Sequence, residues 1–304
     1  MSGEPILVTG SHRSGTTWVG RMLCASGEAA YIHEPFNPRR RPGWTGDRVP
    51  YWFLHVNRDN ERYYTSIVED VLRFRYPVSR NLRDLDGARA AALFLSDLAN
   101  AARYRVTHPR PLLKDPMALF AAEWLAERFG ARVVVTIRNP LAFAGSIKRL
   151  DWQFRFRSWL AQPSLADGLL ARYRDEMVRL WSGEGDIVDQ AVVMWNALHE
   201  VIDGYRSRHP EWVFVRHEDL SAAPQEGFAA LYEHCGLTFN ARAGERVASF
   251  SSAGNPKDLP VWRHMSVRRH SRAATETWRS RLTGEDVARV RSGTAEVAAR
   301  FYPE

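Results

Sequence analysis

The chain has 304 residues, 45% of them hydrophobic, a net charge of +7 and a pI near 9.7. That length can bury one sizeable core. No apolar run approaches the roughly 18 residues of a membrane span, and two cysteines, Cys24 and Cys235, cannot build a disulfide framework. Nothing at the start resembles a signal peptide, so a cytoplasmic protein with buried, reduced thiols is expected. The positive charge favours an anionic ligand. Nucleic acid is disfavoured: the arginines are scattered, with no basic run, RNP-type aromatic motif or zinc-finger spacing. Arginine dominates so strongly that Lys114, Lys148 and Lys257 are the only lysines.

In chain order, an apolar strand over 6–10 ends in a glycine turn, and a helix over 16–25 carries Trp18, Met22 and Leu23 as its apolar stripe. A short strand over 29–32 runs into His33-Glu34-Pro35. Residues 37–60, rich in Pro, Gly, Arg and aromatics, read as a long loop. Helices are predicted over 61–76 and 86–103, a strand over 111–114 stopping at Asp115-Pro116, and a helix over 117–129. The β-branched run 131–137 is the clearest buried parallel strand. It feeds Arg138-Asn139-Pro140, where Asn139 caps a helix with Pro140 at its first position, running to about 150. A second aromatic-rich stretch, 151–186, holds Trp152, Phe154, Phe156, Trp159, Tyr173 and Trp181. A long helix over 187–208, a strand over 212–215, helices over 223–235 and 241–250, a loop over 251–272 and a last helix over 284–301 complete the chain. Strands alternating with helices predict an α/β, P-loop-type three-layer fold, with a central parallel sheet flanked by helices. No repeat or linker is visible, so residues 1–304 read as one domain with insertions at 37–60 and 151–186.

Two stretches carry chemistry. From Gly10 to Thr17 the pattern is G-x-x-x-x-G-T-T, a Walker A loop with threonine in place of the lysine that reaches the β/γ-phosphates of ATP. Strand, glycine turn and helix N-terminus aim backbone N–H groups at one point, which suits an anion. The strand 131–137 ends in Arg138 rather than in a metal-binding aspartate, with Ser146 two helical turns on. An arginine at the carboxyl end of a parallel strand points into the ligand crevice and offers forked donors to an anion. Taken alone, Arg138 could equally cap the sheet edge.

With these residues in view, a family resemblance emerges. Ser11-His-Arg13-Ser14-Gly15-Thr16-Thr17-Trp18 resembles the 5′-phosphosulfate loop of the PAPS-dependent sulfotransferases, where PAPS is 3′-phosphoadenosine 5′-phosphosulfate. Arg138 through Ser146 resembles their 3′-phosphate motif. Tyr31-Ile-His-Glu34-Pro35 is similar to a segment of the carbohydrate and tyrosylprotein branches, and Leu113-Lys114-Asp115-Pro116 resembles the Lys-Asp-Pro turn of the tyrosylprotein enzymes. Arg216-His-Glu-Asp-Leu220 resembles a late Tyr-Glu-Asp-Leu element, and Ser266-Val-Arg268-Arg269-His-Ser271 with Trp278-Arg279 resembles the cofactor-covering loop and last helix of carbohydrate enzymes. The aromatic insertions match nothing in the family.

The resemblance implies a sulfotransferase moving a sulfonyl group from PAPS to an acceptor hydroxyl and releasing adenosine 3′,5′-bisphosphate (PAP), with no metal. Arg13, Ser14, Gly15, Thr16 and Thr17 would hold the 5′ end, Arg138 and Ser146 the 3′-phosphate, and Arg268, Arg269 and Ser271 would close over it. Trp18 would pack on the adenine or serve as a core aromatic. Arg13 stands where the cytosolic branch has lysine, as in the carbohydrate and tyrosylprotein branches. Lys114 would be the second cation at the leaving oxygen, against the alternative of a solvated lysine. Glu34 would be the base, against a plain salt-bridge role. His108 competes, because Thr107-His-Pro resembles the cytosolic Thr-His-Leu-Pro. Counted against the strand at 111–114 it falls too early, so Glu34 is preferred. A sugar or glycoconjugate is the expected acceptor, with aromatic insertions at 44–53 and 152–159 forming its cleft. Two other readings stay open: a nucleoside or small-molecule kinase with a degenerate P-loop, and a non-catalytic polyanion-binding module.

Overall fold

The computed structural model describes residues 3–258 and 267–303. Five strands form one sheet in the order β2-β3-β1-β4-β5: β1 Ile6–Gly10, β2 Ala29–His33, β3 Arg110–Lys114, β4 Arg132–Ile137 and β5 Val213–Arg216. Every pairing is parallel, so each connection crosses over through helices that cover the faces. These are α1 Thr16–Leu23, α2 Glu61–Leu72, α3 Val78–Arg83, α4 Gly87–Thr107, α5 Ala122–Phe129, α6 Pro140–Arg149, α7 Arg157–Leu160, α8 Arg174–Trp181, α9 Ile187–Arg208, α10 His217–Ala222, α11 Pro224–His234, α12 Ala241–Ser251, α13 Ser271–Ala274 and α14 Gly284–Ala298. No helix among the described residues is long and apolar enough to cross a membrane.

The apolar strands sort their side chains by the two-residue period of a strand. Leu7, Val133, Val135 and Ile137 enter a core shared with α6, α9 and α14. Ile6, Val8 and Val134 enter the opposite core with α1, α11 and α12. The residues that end the strands therefore share one edge. His33 is in register with Lys114, Gly10 with Thr136, and Ile137 with Arg216. In such sheets that edge is where ligands bind.

Most predicted elements appear within a few residues of their expected ends. Asn139 caps α6, its side chain accepting the Leu141 amide at 2.9 Å, and α9 begins on an Asp186/Asp189 capping box. The differences have local causes. The helix predicted to 76 stops at Leu72, and a short α3 follows Pro77, whose ring has no amide to donate. The segment after Asp115 begins as a 3₁₀ turn over Pro116–Ala121 before becoming α5. Two short helices, α10 and α13, lie where strand-end and loop chemistry were expected.

Candidate active site

At the carboxyl edge of the sheet lies a cavity of about 520 Å³, lined from β1, β2, β3 and β4 and from both aromatic stretches. Its floor is the turn from β1 into α1. Gly10 sits at φ 134°, and a Cβ there would lie 2.2 Å from the Thr136 carbonyl oxygen, so only glycine lets β1 turn this close to β4. Gly15, at φ 97°, leaves room for His217, whose Nδ1 would be 2.5 Å from a Cβ at that position. α1 begins without a side-chain cap: the Trp18 and Val19 amides donate to the Gly15 carbonyl at 2.9 and 3.1 Å, and the Thr16 and Thr17 amides ahead of them lie at the helix N-terminus.

The two phosphate-type motifs, over 120 residues apart in sequence, are bonded to each other. Arg13 Nε donates to Ser146 Oγ at 3.1 Å, and Arg138 Nη1 donates to the Arg13 carbonyl at 2.6 Å. Trp195 of α9 donates its indole N–H to the Arg138 carbonyl at 2.8 Å, which fixes the strand end. Arg138 is 9% exposed, and its Nε has no hydrogen-bond partner among the described residues. Arg269 also lines the cavity. Burial followed by the proximity of Arg138, Arg269 and Arg281 pulls Arg13 down to about 10. Burial and then Arg138 bring Arg269 to about 10 as well, and burial lowers Arg138 despite an opposing pull from Glu218. Partly desolvated guanidinium groups that destabilise one another's charge form a site of positive potential, which an anion would relieve.

On the other side of the loop, β2 and β3 deliver Glu34 and Lys114. Lys114 is 1% exposed and forms an ion pair with Glu34 Oε1, while Asn37 Nδ2 donates to Glu34 Oε2 at 2.7 Å. Burial pushes the Glu34 carboxyl up, but attraction to Lys114, with help from His33 and the two hydrogen bonds, outweighs it and holds the group at about 2. Burial lowers Lys114 in turn, with Glu34 opposing. Asp115 is fully buried. It accepts the backbone amides of Phe36 and Met117, tying the Glu34 turn to the Lys114 turn, and burial raises it to about 7. Gly20 of α1 packs against the Lys114 stem: a Cβ there would lie 2.9 Å from Lys114 Cγ.

Of the residues expected from the sequence, Arg13, Gly15, Thr16, Thr17, Trp18, Glu34, Lys114, Arg138, Arg269 and Ser271 line the cavity. Ser14 lies beneath the loop, its hydroxyl bonded to the Ser11 carbonyl and to Thr136. Ser146 reaches the site through Arg13. The Ser271 hydroxyl donates to the Ser221 carbonyl at 3.0 Å. Arg268 is exposed, outside the lining, and donates to Asn255 Oδ1 at 3.1 Å. Ser266 falls outside the described residues. Trp18 lines the cavity at 6% exposure while packing edge-on to Phe228, ring centres 5.1 Å apart. Arg279 forms an exposed ion pair with Glu276; Arg281 is the arginine of that segment close to the cluster. His108 is exposed at the amino end of β3. A five-residue strand rises about 3.3 Å per residue, so His108 is a full strand length from the cavity.

Sequence reasoning assigned no role to two histidines. His217 opens α10 just beyond β5, and His12 lies inside the loop itself. Both line the cavity, His12 buried and His217 partly so, and both are pushed well below the ordinary histidine range, by desolvation first and then by the arginines, so they are neutral. Neither His12 ring nitrogen has a hydrogen-bond partner among the described residues. His12 packs edge-on to Trp152, with ring centres 4.1 Å apart. Position marked both: His217 follows a strand end by the same rule that singled out Arg138. Among the described residues no group of His, Cys, Asp or Glu could hold a metal ion.

The sulfotransferase family profile matches residues 5–241, which include both phosphate-type motifs, Glu34 and Lys114. The chain belongs to the sulfotransferase family. Its members are enzymes that transfer sulfate, and PAPS is their typical donor. No curated protein sequence matches this sulfotransferase. Among solved structures it is similar to the sulfotransferase domain of the Synechococcus PCC 7002 olefin synthase, with a TM-score of 0.50 and 16% identity over 99% of this chain and 95% of that one. It is also similar to sulfotransferase STF9 from Mycobacterium avium, with a TM-score of 0.46 and 15% identity over 100% of this chain and 78% of that one. The first likeness bears out the expected three-layer α/β architecture.

Proposed function

We propose that this sulfotransferase moves a sulfonyl group from PAPS to a hydroxyl of a sugar or glycoconjugate. The observation that carries the reading is the mutually repelling, largely desolvated cluster of Arg13, Arg138 and Arg269 beside a Gly15–Thr17 helix start. Two phosphate-bearing ends need such a site. The unpartnered Arg138 Nε, His217 Nδ1 and Trp18 Nε1 at the cavity are donors and acceptors that a nucleotide would satisfy. Arg13 and the amides of Gly15, Thr16 and Thr17 would hold the 5′ end, Arg138 and Arg269 the 3′-phosphate, and Trp18 the adenine. Ser14 and Ser146 support Arg13 and the loop from beneath. When bound, PAPS supplies a sulfur activated by its phosphate leaving group.

The chain's own residues supply the rest. Glu34, fully ionised, takes the acceptor's proton. Lys114 and Arg13 offset the charge that appears on the departing phosphate. Any shift of the Lys114 ammonium away from Glu34 raises the basicity of Glu34, because burial by itself pushes a carboxylate up. The sugar reading rests on Trp52 and Trp152, whose rings line the cavity beside Asn37, Asp151 and His12. An aromatic face with a few polar groups suits a sugar ring. The other aromatics of the insertions have different surroundings: Trp44, Phe53, Phe154, Phe156, Trp159 and Tyr173 are buried in the core, and Trp181 is exposed.

A thermal-shift titration with PAP, ATP–Mg²⁺ and heparin tests the donor site. PAP is expected to raise the melting temperature without metal. A shift with ATP–Mg²⁺ alone would instead support a kinase, and one with heparin alone a polyanion-binding module.

A further inference from the structure

Trp52 and Trp152 stand with ring centres 5.5 Å apart and planes tilted by 53°. Both line the cavity described above, and both also line a second one of about 400 Å³. This second cavity has an apolar floor that includes Tyr51 and Phe154, and three cations, Arg39, Arg155 and Arg157. Arg39 comes from the first aromatic stretch, the other two from the second. No aspartate or glutamate lines the cavity. Among the described residues none of the three arginines forms an ion pair, in contrast to Arg80, Arg132 and Arg174, which do.

The walls are fixed relative to one another. Gln162 accepts the His55 amide at 2.8 Å and donates to the Phe53 carbonyl at 3.3 Å, joining the two stretches through a buried side chain. Gln190 of α9 accepts the Phe154 amide at 2.9 Å and anchors the segment that carries Arg155. The Arg39 guanidinium lies over the Trp52 ring, 5.4 Å from its centre, a contact that leaves its N–H donors available to an anion.

We propose that this second cavity is a subsite for an anionic group of the acceptor: a carboxylate, phosphate or sulfate ester on the part of the glycan that extends past the two indoles. The inference rests on the sugar reading and deepens it, since the reacting hydroxyl lies at Glu34 and the recognised charge in the second cavity.

Two oligosaccharide series, each from disaccharide to hexasaccharide, test it: hyaluronan fragments, with one carboxylate per repeat, and neutral chitin fragments. Their dissociation constants are measured by calorimetry with and without saturating PAP. The hyaluronan series is expected to bind about tenfold more tightly or better, as for charge-assisted hydrogen bonds, and the margin should shrink as salt is raised. The triple variant Arg39→Ala/Arg155→Ala/Arg157→Ala is expected to bring the two series together while PAP binds as before, and the triple lysine variant to keep most of the preference. Equal binding of both series to the parent protein would overturn the subsite, and so would a preference that survives the alanine variant. Binding of neither series overturns it too. PAP titrated alone reads the donor site separately, so failure there is distinguishable from failure here.

Discussion

Replacing Lys114 with methionine strands a carboxylate whose surroundings are known. The Lys114 side chain is 1% exposed and that of its partner Glu34 is 15% exposed. Burial would raise Glu34 above its ordinary 4.5, and Lys114 is the main reason it lies at about 2 instead. At about 1.4 kcal/mol per pKa unit that difference is ~3 kcal/mol, within the ~3–5 kcal/mol seen when one partner of a buried pair is removed. Lys114→Met is therefore expected to lose ~3 kcal/mol of stability at pH 7, and Glu34→Gln a comparable amount. The double variant should recover a good part of either loss, because neither charge is then stranded. The pH dependence has a definite sign. In the parent protein Glu34 is depressed, so its contribution is present above pH 4.5 and lost as the pH falls from there through about 2. In Lys114→Met burial is left to raise the group, so its contribution is present below about 4.5 and lost as the pH rises through the raised value. The gap between variant and parent should thus be widest near pH 7 and narrow below pH 5. Urea melts of the four proteins at pH 4, 5.5 and 7 read both effects. A Lys114→Met loss below about 0.5 kcal/mol at pH 7, the ordinary size for a surface change, or a gap that does not move with pH, would refute the coupling.

Other expectations concern the rest of the site. Glu34→Gln should lower turnover by about 10²–10⁴-fold, the usual contribution of a general base, with PAP affinity retained in a binding titration. Arg138→Gln should weaken PAP by roughly tenfold to a hundredfold, as for loss of a charged hydrogen bond. The same change should leave the ligand-free protein at least as stable, because it removes one of several repelling buried cations; thermal shift measures both. Gly10→Ala should cost ~3 kcal/mol or more, the mark of backbone strain combined with a clash, as read by chemical denaturation. His108→Ala should keep turnover within about twofold, since an exposed side chain remote from the site has little to lose; a large drop would reopen the choice of base.

Much of the fold was legible because its signals are local. The run 131–137 is apolar and β-branched, Asn139-Pro140 states a helix start, and Gly10 marks a turn that no other residue could make. The residues that line the cavity from the β1–α1 turn and the β4 end were legible for a similar reason, since loop, glycine and arginine sit together at strand ends and the parallel alternation places strand ends on one edge. The aromatic insertions were less so. Trp52 and Phe53 are adjacent in sequence, yet one lines two cavities and the other is fully buried. Composition cannot say which way a ring in a non-periodic loop turns.

Local sequence alone determined the parallel α/β framework and the glycine turn between β1 and α1, whereas the bond from Arg13 to Ser146 came only with the fold. Tertiary structure decided which of those residues present their polar atoms. It put the Ser14 hydroxyl under the loop, turned Arg268 outward, brought His12 and His217 in, and locked Lys114 to Glu34. The physical reason is range. Strand and helix signals act over a few residues, whereas burial and charge pairing depend on groups that meet only when distant segments close on one another, here 80 residues apart for Lys114 and Glu34.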